Sequence, residues 1–225
     1  MKTKIIATIG PKSFSYSVLK KMKKEGMNIG RINTKYGNEK QWEKIISDLK
    51  KLRVEVMIDI KVLETLDWVN KQDVDYLAVS YARDLKHIKK IRSIVEDDSL
   101  KIIPKIETRK GLNNIDDLID AGCGIMIGRG DLSRNISFEK VPYYKKLIID
   151  KCNKKKKFVI TATEMLMSMV NSKRPTNAEV EDVFSAVIGG SDCLMLSEET
   201  AVGHYPVLSV KTMKKIILNA EKYLD

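Results

Sequence analysis

The stretch from Ser99 to Gly111, SLKIIPKIETRKG, has the apolar density of a buried strand but carries two charged residues near its end, Lys105 and Glu107. Successive side chains of a strand point to opposite faces, so two residues that are two positions apart share one face. Buried charges are rare and need partners. The pair therefore belongs either to a polar site at a strand end or to an exposed ion pair on an edge strand.

The 225-residue chain has 43% hydrophobic and 32% charged residues, which is typical of a folded domain. No apolar run is long enough to span a membrane, and the first residues, MKTKIIATIGPKS, lack the apolar core and cleavage site of a signal peptide. We expect a soluble cytoplasmic protein without a membrane segment. Cys123, Cys152 and Cys193 are widely spaced and odd in number, which predicts reduced thiols and no zinc site.

The net charge of +11 raises the question of nucleic-acid binding, because the run KCNKKKKF at residues 151–158 resembles a basic patch. Lysine, however, is spread over most amphipathic segments together with acidic residues, and no zinc finger or RNA-binding motif is present. Nucleic acid is therefore not an expected partner. A positive field favours small anionic substrates instead.

A short apolar strand followed by an amphipathic helix recurs along the chain. Such alternation favours a parallel sheet, and eight units in a chain of this length are typical of a (β/α)₈ barrel. We therefore predict an α/β fold, a single-domain TIM barrel over residues 1–225, with a doubly wound open sheet as the alternative. The eight predicted strands lie at residues 4–10, 28–33, 54–60, 76–82, 101–107, 123–129, 158–163 and 192–197.

Polar and charged residues cluster where the predicted strands end. In a (β/α)₈ barrel the carboxyl ends of the strands meet at one face, and that face carries the active site. A purely structural face would carry mostly turn residues, so we predict a catalytic or binding mouth. The strand ends carry Arg31 and Asn33, Asp59 and Lys61, Ser80 and Tyr81, Lys105 and Glu107, Arg129 and Asp131, Thr163 and Glu164, and Ser197, Glu198 and Glu199.

The carboxylates of Glu107 and Asp131 come from neighbouring strands and suit a hard divalent cation, Mg²⁺ or Mn²⁺, with positions left for substrate oxygens and water. Lys105 adds a fixed positive charge for an oxyanion. The backbone of GRGDLS, residues 128–133, can present N–H groups to a carboxylate, and Thr163 can add a hydroxyl. This set predicts a chelated 2-oxo acid whose enolate is stabilised by metal and lysine.

The ordered motifs of the chain resemble the barrel domain of the pyruvate kinase family. No short motif is decisive alone, but the set is collinear over essentially the whole chain. The matching stretches are TKIIATIGP, GMNIGRIN, IIPKIETRKGLNNIDD, GIMIGRGDLS, VITATEML, KRPTNAEVEDV and GSDCLMLSEETAVGHYP.

The resemblance implies a role for several residues of the mouth. Lys105 would flank the transferred phosphoryl group and the enolate oxygen, and Arg31 would contact the phosphoryl group. Ser197 would lie where the family delivers a proton to the enolate. The divalent metal would be bound by Glu107 and Asp131. The implied substrate contacts are Asn33, Gly128, Arg129, Gly130, Asp131 and Thr163.

The sequence departs from the family mainly in the half of the site that the family uses for the nucleotide. The family inserts a lid domain after the third strand, whereas residues 57–82 run directly to the fourth, and the family's carboxyl-terminal domain is also expected to be missing. DTKGPEIR of the family is DIKVLETL at residues 59–66, and LSGETA is LSEETA at residues 196–201, which adds Glu198. Because phosphoryl transfer depends on clamping the phosphates, these losses predict altered chemistry.

The family's NFSHG is NTKYG at residues 33–37, so Lys35 replaces a serine. In the family this serine, Asn33 and Asp59 surround a monovalent K⁺ ion. The resemblance implies that the Lys35 ammonium replaces the ion beside Asp59, and we expect K⁺ not to be required. The alternative is a broken ion site with a surface lysine beside it.

The sequence thus predicts a metal-dependent enzyme that binds pyruvate, phosphoenolpyruvate or a related 2-oxo acid and stabilises its enolate. We expect carbon–carbon bond cleavage or formation, or decarboxylation, and not phosphorylation of ADP. Low-efficiency pyruvate kinase activity and a non-catalytic metabolite-binding barrel are the alternatives. The uncovered helix ring predicts a homodimer or homotetramer, and His87 and His204 are expected to be structural.

Overall fold

The computed structural model describes residues 1–224, in which eight parallel strands close into one barrel in sequence order. The last strand closes the barrel against the first, with Ala7 in register with Leu196. The TIM-barrel prediction is confirmed, and the open-sheet alternative is wrong. The strands are β1 Lys4–Ile9, β2 Ile29–Asn33, β3 Glu55–Ile60, β4 Tyr76–Val79, β5 Lys101–Ile106, β6 Gly124–Gly128, β7 Phe158–Ala162 and β8 Cys193–Leu196.

Each predicted strand is present, but most are shorter than the apolar pattern suggested. The clearest difference is in β4, which ends at Val79 although the predicted strand continued to Ala82. Tyr81 has a φ of 51°, in the left-handed region, and this conformation turns the chain out of the strand. The sequence pattern could not reveal the turn, because Tyr is a good strand former.

The helices form the outer ring and turn their apolar residues toward the sheet. In the first of them, Leu19 and Met22 are fully buried, and the Ser15 side chain caps the amino terminus by accepting a bond from the Val18 N–H. No helix within residues 1–224 is both long enough and apolar enough to cross a membrane. The helices are α1 Tyr16–Glu25, α2 Glu39–Lys51, α3 Leu66–Val69, α4 Leu85–Arg92, α5 Arg109–Asn113, α6 Ile115–Ala121, α7 Arg129–Asn135, α8 Val141–Lys154, α9 Asn177–Ile188, α10 Glu198–Ala201 and α11 Pro206–Ala220.

The barrel interior is filled by an apolar cluster that is separate from the packing between sheet and helices. Strand alternation explains the division, since Ile103 of β5 points inward whereas Ile102 and Ile106 pack against helices. The interior therefore forms an apolar floor below the mouth. The cluster contains Ile6, Ile29, Met57, Tyr76, Ala78, Ile103, Met126, Ile160, Ala162, Cys193 and Met195.

The link between β3 and β4 occupies only residues 61–75 and contains one 3₁₀ turn, Leu63–Thr65, followed by α3. Trp68 of α3 is buried and packs edge to face on Trp42, with ring centroids 5.2 Å apart. The expected direct connection is therefore present. No lid is inserted between these two strands.

The basic run at residues 151–158 lies at the end of α8 and the start of β7. Lys151 pairs with Asp116 at 2.8 Å, and Lys155 pairs with Asp120 at 2.8 Å, so the run is tied to α6. These contacts explain much of its charge as an exposed, ion-paired helix face.

Candidate active site

A buried carboxylate lies at the centre of the barrel mouth. Asp59 of β3 is 2% exposed and contacts cations from two other strands. Arg31 of β2 donates to Asp59 Oδ2 from Nε at 2.9 Å and from Nη2 at 2.7 Å. Lys105 Nζ of β5 lies 3.2 Å from Oδ1 and 3.0 Å from Oδ2. Asp59 thus fixes two buried cations side by side.

The charge of Asp59 is maintained by these neighbours. Burial raises the pKa of Asp59, but the charges of Lys105 and Arg31 outweigh burial and hold that pKa below its ordinary value. Ser80 Oγ donates to Asp59 Oδ1 at 3.0 Å and accepts a bond from Lys105 Nζ at 2.9 Å. The sequence places Ser80 at a strand end but gives no signal of this role.

Thr8 of β1 completes the support of Arg31 and was missed in the sequence. Arg31 Nη1 donates to Thr8 Oγ1 at 2.7 Å, and this hydroxyl donates to the Leu196 carbonyl at 2.9 Å. Thr8 is two positions after the inward-facing Ile6. Strand alternation was therefore the signal that could have found it.

Lys105 and Glu107 emerge side by side, as their spacing predicts. Lys105 Nζ lies 2.9 Å from Glu107 Oε1, and both side chains are buried. Glu107 Oε2 accepts a bond of 2.8 Å from the backbone N–H of Tyr81, the residue in the left-handed conformation. The two charges at the carboxyl end of β5 therefore belong to the polar mouth and not to an exposed edge.

The carboxylates of Glu107 and Asp131 line the same cavity and are of the oxygen-ligand type that a hard divalent cation prefers. A Cβ atom at Gly128 would lie 2.7 Å from Glu107 Cγ and 2.9 Å from its Oε1, so glycine leaves the space that this carboxylate needs. Within residues 1–224 no group of three or more His, Cys, Asp or Glu side chains could hold a metal. The remaining ligands would have to be substrate oxygens and water, as is common for Mg²⁺.

Two residues after β7 have strained backbones at the mouth. Thr163 and Glu164 have φ values of 66° and 53°, which are rare for residues other than glycine, above all for a β-branched one. Thr163 Oγ1 accepts a bond of 2.8 Å from the Gly130 N–H and donates to the Ala162 carbonyl at 2.6 Å. The hydroxyl predicted to meet substrate is thus already joined to the GRGDLS backbone.

Arg129 supports the strained segment from outside the cavity. Its guanidinium donates from Nε to the Thr163 carbonyl at 3.1 Å and pairs with Asp182, which also binds Lys145 at 2.7 Å. Burial raises the pKa of Asp182, but the Arg129 charge and the Lys145 hydrogen bond outweigh it, so this pKa lies below its ordinary value. The Arg129 side chain is thus engaged outside the cavity, and the expected contact of the RGD backbone with substrate stays a prediction.

Lys35 does not reach Asp59 in this structure. It is exposed, and its Nζ lies 5.3 Å from the centre of the Tyr36 ring. The oxygens of Asp59 are occupied by Arg31, Lys105 and Ser80, so the expected Lys35–Asp59 pair has no free acceptor. The prediction that the protein does not require K⁺ remains untested, and the Lys35–Asp59 ion pair that motivated it is not formed.

Ser197 presents an unsatisfied polar atom to the mouth. Its Oγ is buried and, among residues 1–224, has no hydrogen-bond partner. The neighbouring Glu199 is fully buried, and its carboxylate accepts bonds from the backbone N–H groups of Leu166 and Ser197 at 3.0 and 2.7 Å. Glu199 therefore ties the loop after β7 to the loop after β8.

These side chains surround a polar cavity of about 360 Å³, a volume suited to a small molecule. Asp59 and Arg129 contact its walls without lining it. The structure thus brings most of the predicted site residues together. Those that line the cavity are Arg31, Asn33, Lys35, Lys105, Glu107, Gly128, Gly130, Asp131, Thr163 and Ser197.

The family model described as pyruvate kinase, barrel domain, matches residues 1–67 and 57–210. The chain belongs to the pyruvate kinase barrel-domain family. The two matched parts meet at β3 and the residues after it, where the lid insertion is missing.

Several curated members of this family are similar in sequence. The pyruvate kinase of Sporosarcina psychrophila is 46% identical over 158 residues, which cover 69% of this chain and 27% of that protein. The pyruvate kinase of Geobacillus stearothermophilus is 47% identical over 158 residues, with the same coverage. That of Lactococcus lactis is 45% identical over 154 residues, or 67% of this chain and 31% of that protein. The chain spans less than a third of the length of these relatives.

The Asp59→Asn substitution should destabilise the fold by about 3–5 kcal/mol, because Arg31 and Lys105 would lose their buried counter-charge. Urea unfolding measures the change in the free energy of unfolding. Asp150→Asn is the matched control, since Asp150 pairs with Lys146 on the surface, where their side chains are 44% and 76% exposed, and should cost less than about 1 kcal/mol. Equal costs for the two variants would contradict the central role of Asp59.

The Glu199→Gln substitution should change how stability depends on pH. Burial raises the pKa of Glu199, and its backbone hydrogen bonds only partly offset this effect. Because the pKa of Glu199 is higher in the folded protein than its ordinary value of about 4.5, burial of its neutral carboxyl contributes stability below pH 4.5. That contribution to the free energy of unfolding is lost as the pH rises through the raised pKa. The variant should lack that loss in urea unfolding across the same pH range, whereas the exposed control Glu64→Gln should keep it. Parallel curves for Glu199→Gln and the unaltered protein would contradict the assignment.

Proposed function

We propose that the mouth binds pyruvate or a related 2-oxo acid together with Mg²⁺ or Mn²⁺ and stabilises the enolate of the bound acid. The observation that carries this proposal is the position of Lys105, whose buried ammonium is held by Asp59 and Glu107 in the wall of the cavity that Asp131 also lines. A fixed ammonium beside two carboxylates suits an oxyanion that a metal also binds.

Each part of the mouth has a role in this proposal. The metal, held by Glu107 and Asp131, would polarise the 2-oxo group. Lys105 would donate a hydrogen bond to the oxygen on which negative charge develops. The substrate carboxylate would lie at the GRGDLS backbone and Thr163, where a Cβ atom at Gly130 would come within 3.6 Å of Thr163 Oγ1.

Proton exchange at the methyl group is the simplest reaction of such a site. A C3–H bond of pyruvate breaks, its proton leaves to a base or to water, and the electron pair forms the enolate with its charge on the 2-oxygen. The reverse step takes a proton or deuteron from water at C3. Ser197, whose buried hydroxyl has no partner among residues 1–224, would hydrogen-bond the water that carries this proton.

Carbon–carbon bond cleavage or formation, or decarboxylation, would use the same enolate and is the reaction class we favour. The short link of residues 61–75 supports this preference over transfer to ADP, because it holds only a 3₁₀ turn and α3 and no inserted lid domain. An uncovered site admits water, which weakens the electrostatic stabilisation that phosphoryl transfer needs.

Transfer of a phosphoryl group between phosphoenolpyruvate and ADP is the second candidate. It is supported by Arg31, which lines the cavity beside Lys105, and by relatives that are named pyruvate kinases. A barrel that only binds a metabolite is the remaining alternative.

Assembly as a homodimer or homotetramer also remains a prediction.

The unaltered protein should exchange the methyl protons of pyruvate with deuterium when Mn²⁺ or Mg²⁺ is present. Proton NMR follows the loss of the methyl signal, with the metal alone as the blank. Lys105→Met should slow exchange by roughly 100-fold, the usual scale for loss of a group that stabilises an oxyanion.

The matched control for this substitution is Lys101→Met, at the other end of the same strand. The Lys101 side chain is exposed and its ammonium lies 4.9 Å from the centre of the Tyr76 ring, away from the mouth. It should exchange as fast as the unaltered protein. Pyruvate that binds without exchange above the metal blank would refute the enolate proposal and favour the metabolite-binding alternative.

A further inference from the structure

A second cavity, of about 680 Å³, adjoins the mouth. It lies between the start of the β3–β4 link and the first turns of α4, and it shares Lys61, Ser80 and Tyr81 with the mouth cavity. We call it the basic cleft. Its charged or ionisable lining residues are Lys61, Glu64, Arg83, Asp84, Lys86, His87, Lys90 and Lys110.

The basic cleft has an excess of positive charge. Five of its side chains are cationic and two are anionic, and one of the anions is already engaged. Asp84 pairs with Lys110 at 3.1 Å and caps α4 by accepting a bond from the His87 N–H. In the part of the chain that the structure describes, four cations of the cleft have no carboxylate within ion-pair distance: Lys61, Arg83, Lys86 and Lys90.

Such a cluster could simply be an exposed helix face rich in lysine. The lysines of α8, which face α6, show what such a face looks like in this protein. There Lys151 and Lys155 each meet an aspartate of the facing helix. In the basic cleft the cations instead surround a concave space. Converging unpaired cations around a cavity are the arrangement that binds phosphate.

His87 gives a second observation at the same place. Its Nδ1 atom is buried and, within residues 1–224, has no hydrogen-bond partner. Burial and then the Arg83 charge lower the pKa of His87. The imidazole thus has a buried nitrogen without a partner beside the charges of Arg83, Lys90 and Asp84, and a bound anion would add a favourable charge there.

The cleft is also joined to the reacting part of the mouth. The Lys61 ammonium lies 5.7 Å from the centre of the Tyr81 ring, and the Tyr81 backbone N–H binds Glu107. A compound bound in the mouth could therefore extend past Tyr81 into the cleft. Five cationic side chains line the cleft, whereas only Val62 and Leu63 are aliphatic, so the charge of its walls suits a phosphate.

We propose that the basic cleft binds the phosphate group of a small substrate that reacts at the mouth, either as a distal phosphate of the 2-oxo acid or as the phosphate of its carbon–carbon bonding partner. This inference rests on the proposed enolate function and names its substrate class. The phosphate is held by Arg83, Lys86 and Lys90, and Lys61 bridges the two cavities.

Phosphate binding can be followed at the two histidines of the chain by proton NMR. The probes are inorganic phosphate and glycerol 3-phosphate, titrated at constant ionic strength and fixed pH without pyruvate or metal. A phosphate beside His87 favours its protonated form, so the C2 proton signal of His87 should shift downfield and saturate. The signal of His204, which lies outside the cleft, is the internal reference and should not move with it.

Substitutions then locate the bound phosphate. Lys86→Gln with Lys90→Gln should weaken binding of both probes roughly tenfold, since two charge-assisted contacts are lost. The control is the double variant Lys89→Gln with Lys24→Gln, which changes the net charge equally. Lys89 is on the same helix, α4, but lies outside the cleft, so the affinity of this variant for both probes should be unchanged. Lys105→Met should also keep the His87 response, which separates the cleft from the mouth.

Three outcomes would overturn the proposal. The first is no saturable shift of the His87 signal, and the second is equal affinity in the cleft and control variants. The third is ADP binding that is at least tenfold tighter than that of glycerol 3-phosphate and is lost in the cleft variant, which would make the cleft a nucleotide site. Deuterium exchange into pyruvate is measured without phosphate. None of these three outcomes therefore decides whether the mouth stabilises an enolate, and the two proposals can fail separately.

Discussion

The structure of the mouth depends on the buried carboxylate of Asp59. Two cations from separate strands, Arg31 and Lys105, would repel each other and lose hydration at this depth without it. Their shared partner holds both cations in fixed positions and leaves Lys105 able to bridge to Glu107. The ammonium in the cavity wall is therefore part of a rigid network and needs little rearrangement to meet a developing oxyanion.

The barrel itself supplies the positions for this network. Interior side chains of β5 alternate, so the apolar floor that contains Ile103 is followed toward the mouth by Lys105 and then Glu107. Two strands further around the barrel, two strained residues after β7 are held by Arg129 and Asp182, which lie outside the cavity. The strained backbone at Thr163 and Glu164 is thus maintained by side chains that lie outside the cavity.

Strand period and strand-end polarity were enough to predict the barrel, its eight strands and the pairing of Lys105 with Glu107. The sequence could not predict which of several nearby donors would pair with one carboxylate. Lys35 was expected at Asp59, but Arg31, Lys105 and Ser80 satisfy that carboxylate. The strand-breaking turn at Tyr81 and the support of Arg129 by Asp182 also had no signal, because one is a backbone conformation and the other joins distant elements.

We propose that Lys105, Glu107 and Asp131 together hold a metal-bound 2-oxo acid. Diffraction from crystals grown with MnCl₂ and pyruvate tests it directly, using the anomalous signal of manganese to locate the metal. We expect one manganese peak bound by the carboxylates of Glu107 and Asp131, with the pyruvate 2-oxygen within hydrogen-bond distance of Lys105 Nζ. Pyruvate bound without manganese at these carboxylates, or bound away from Lys105, would contradict it.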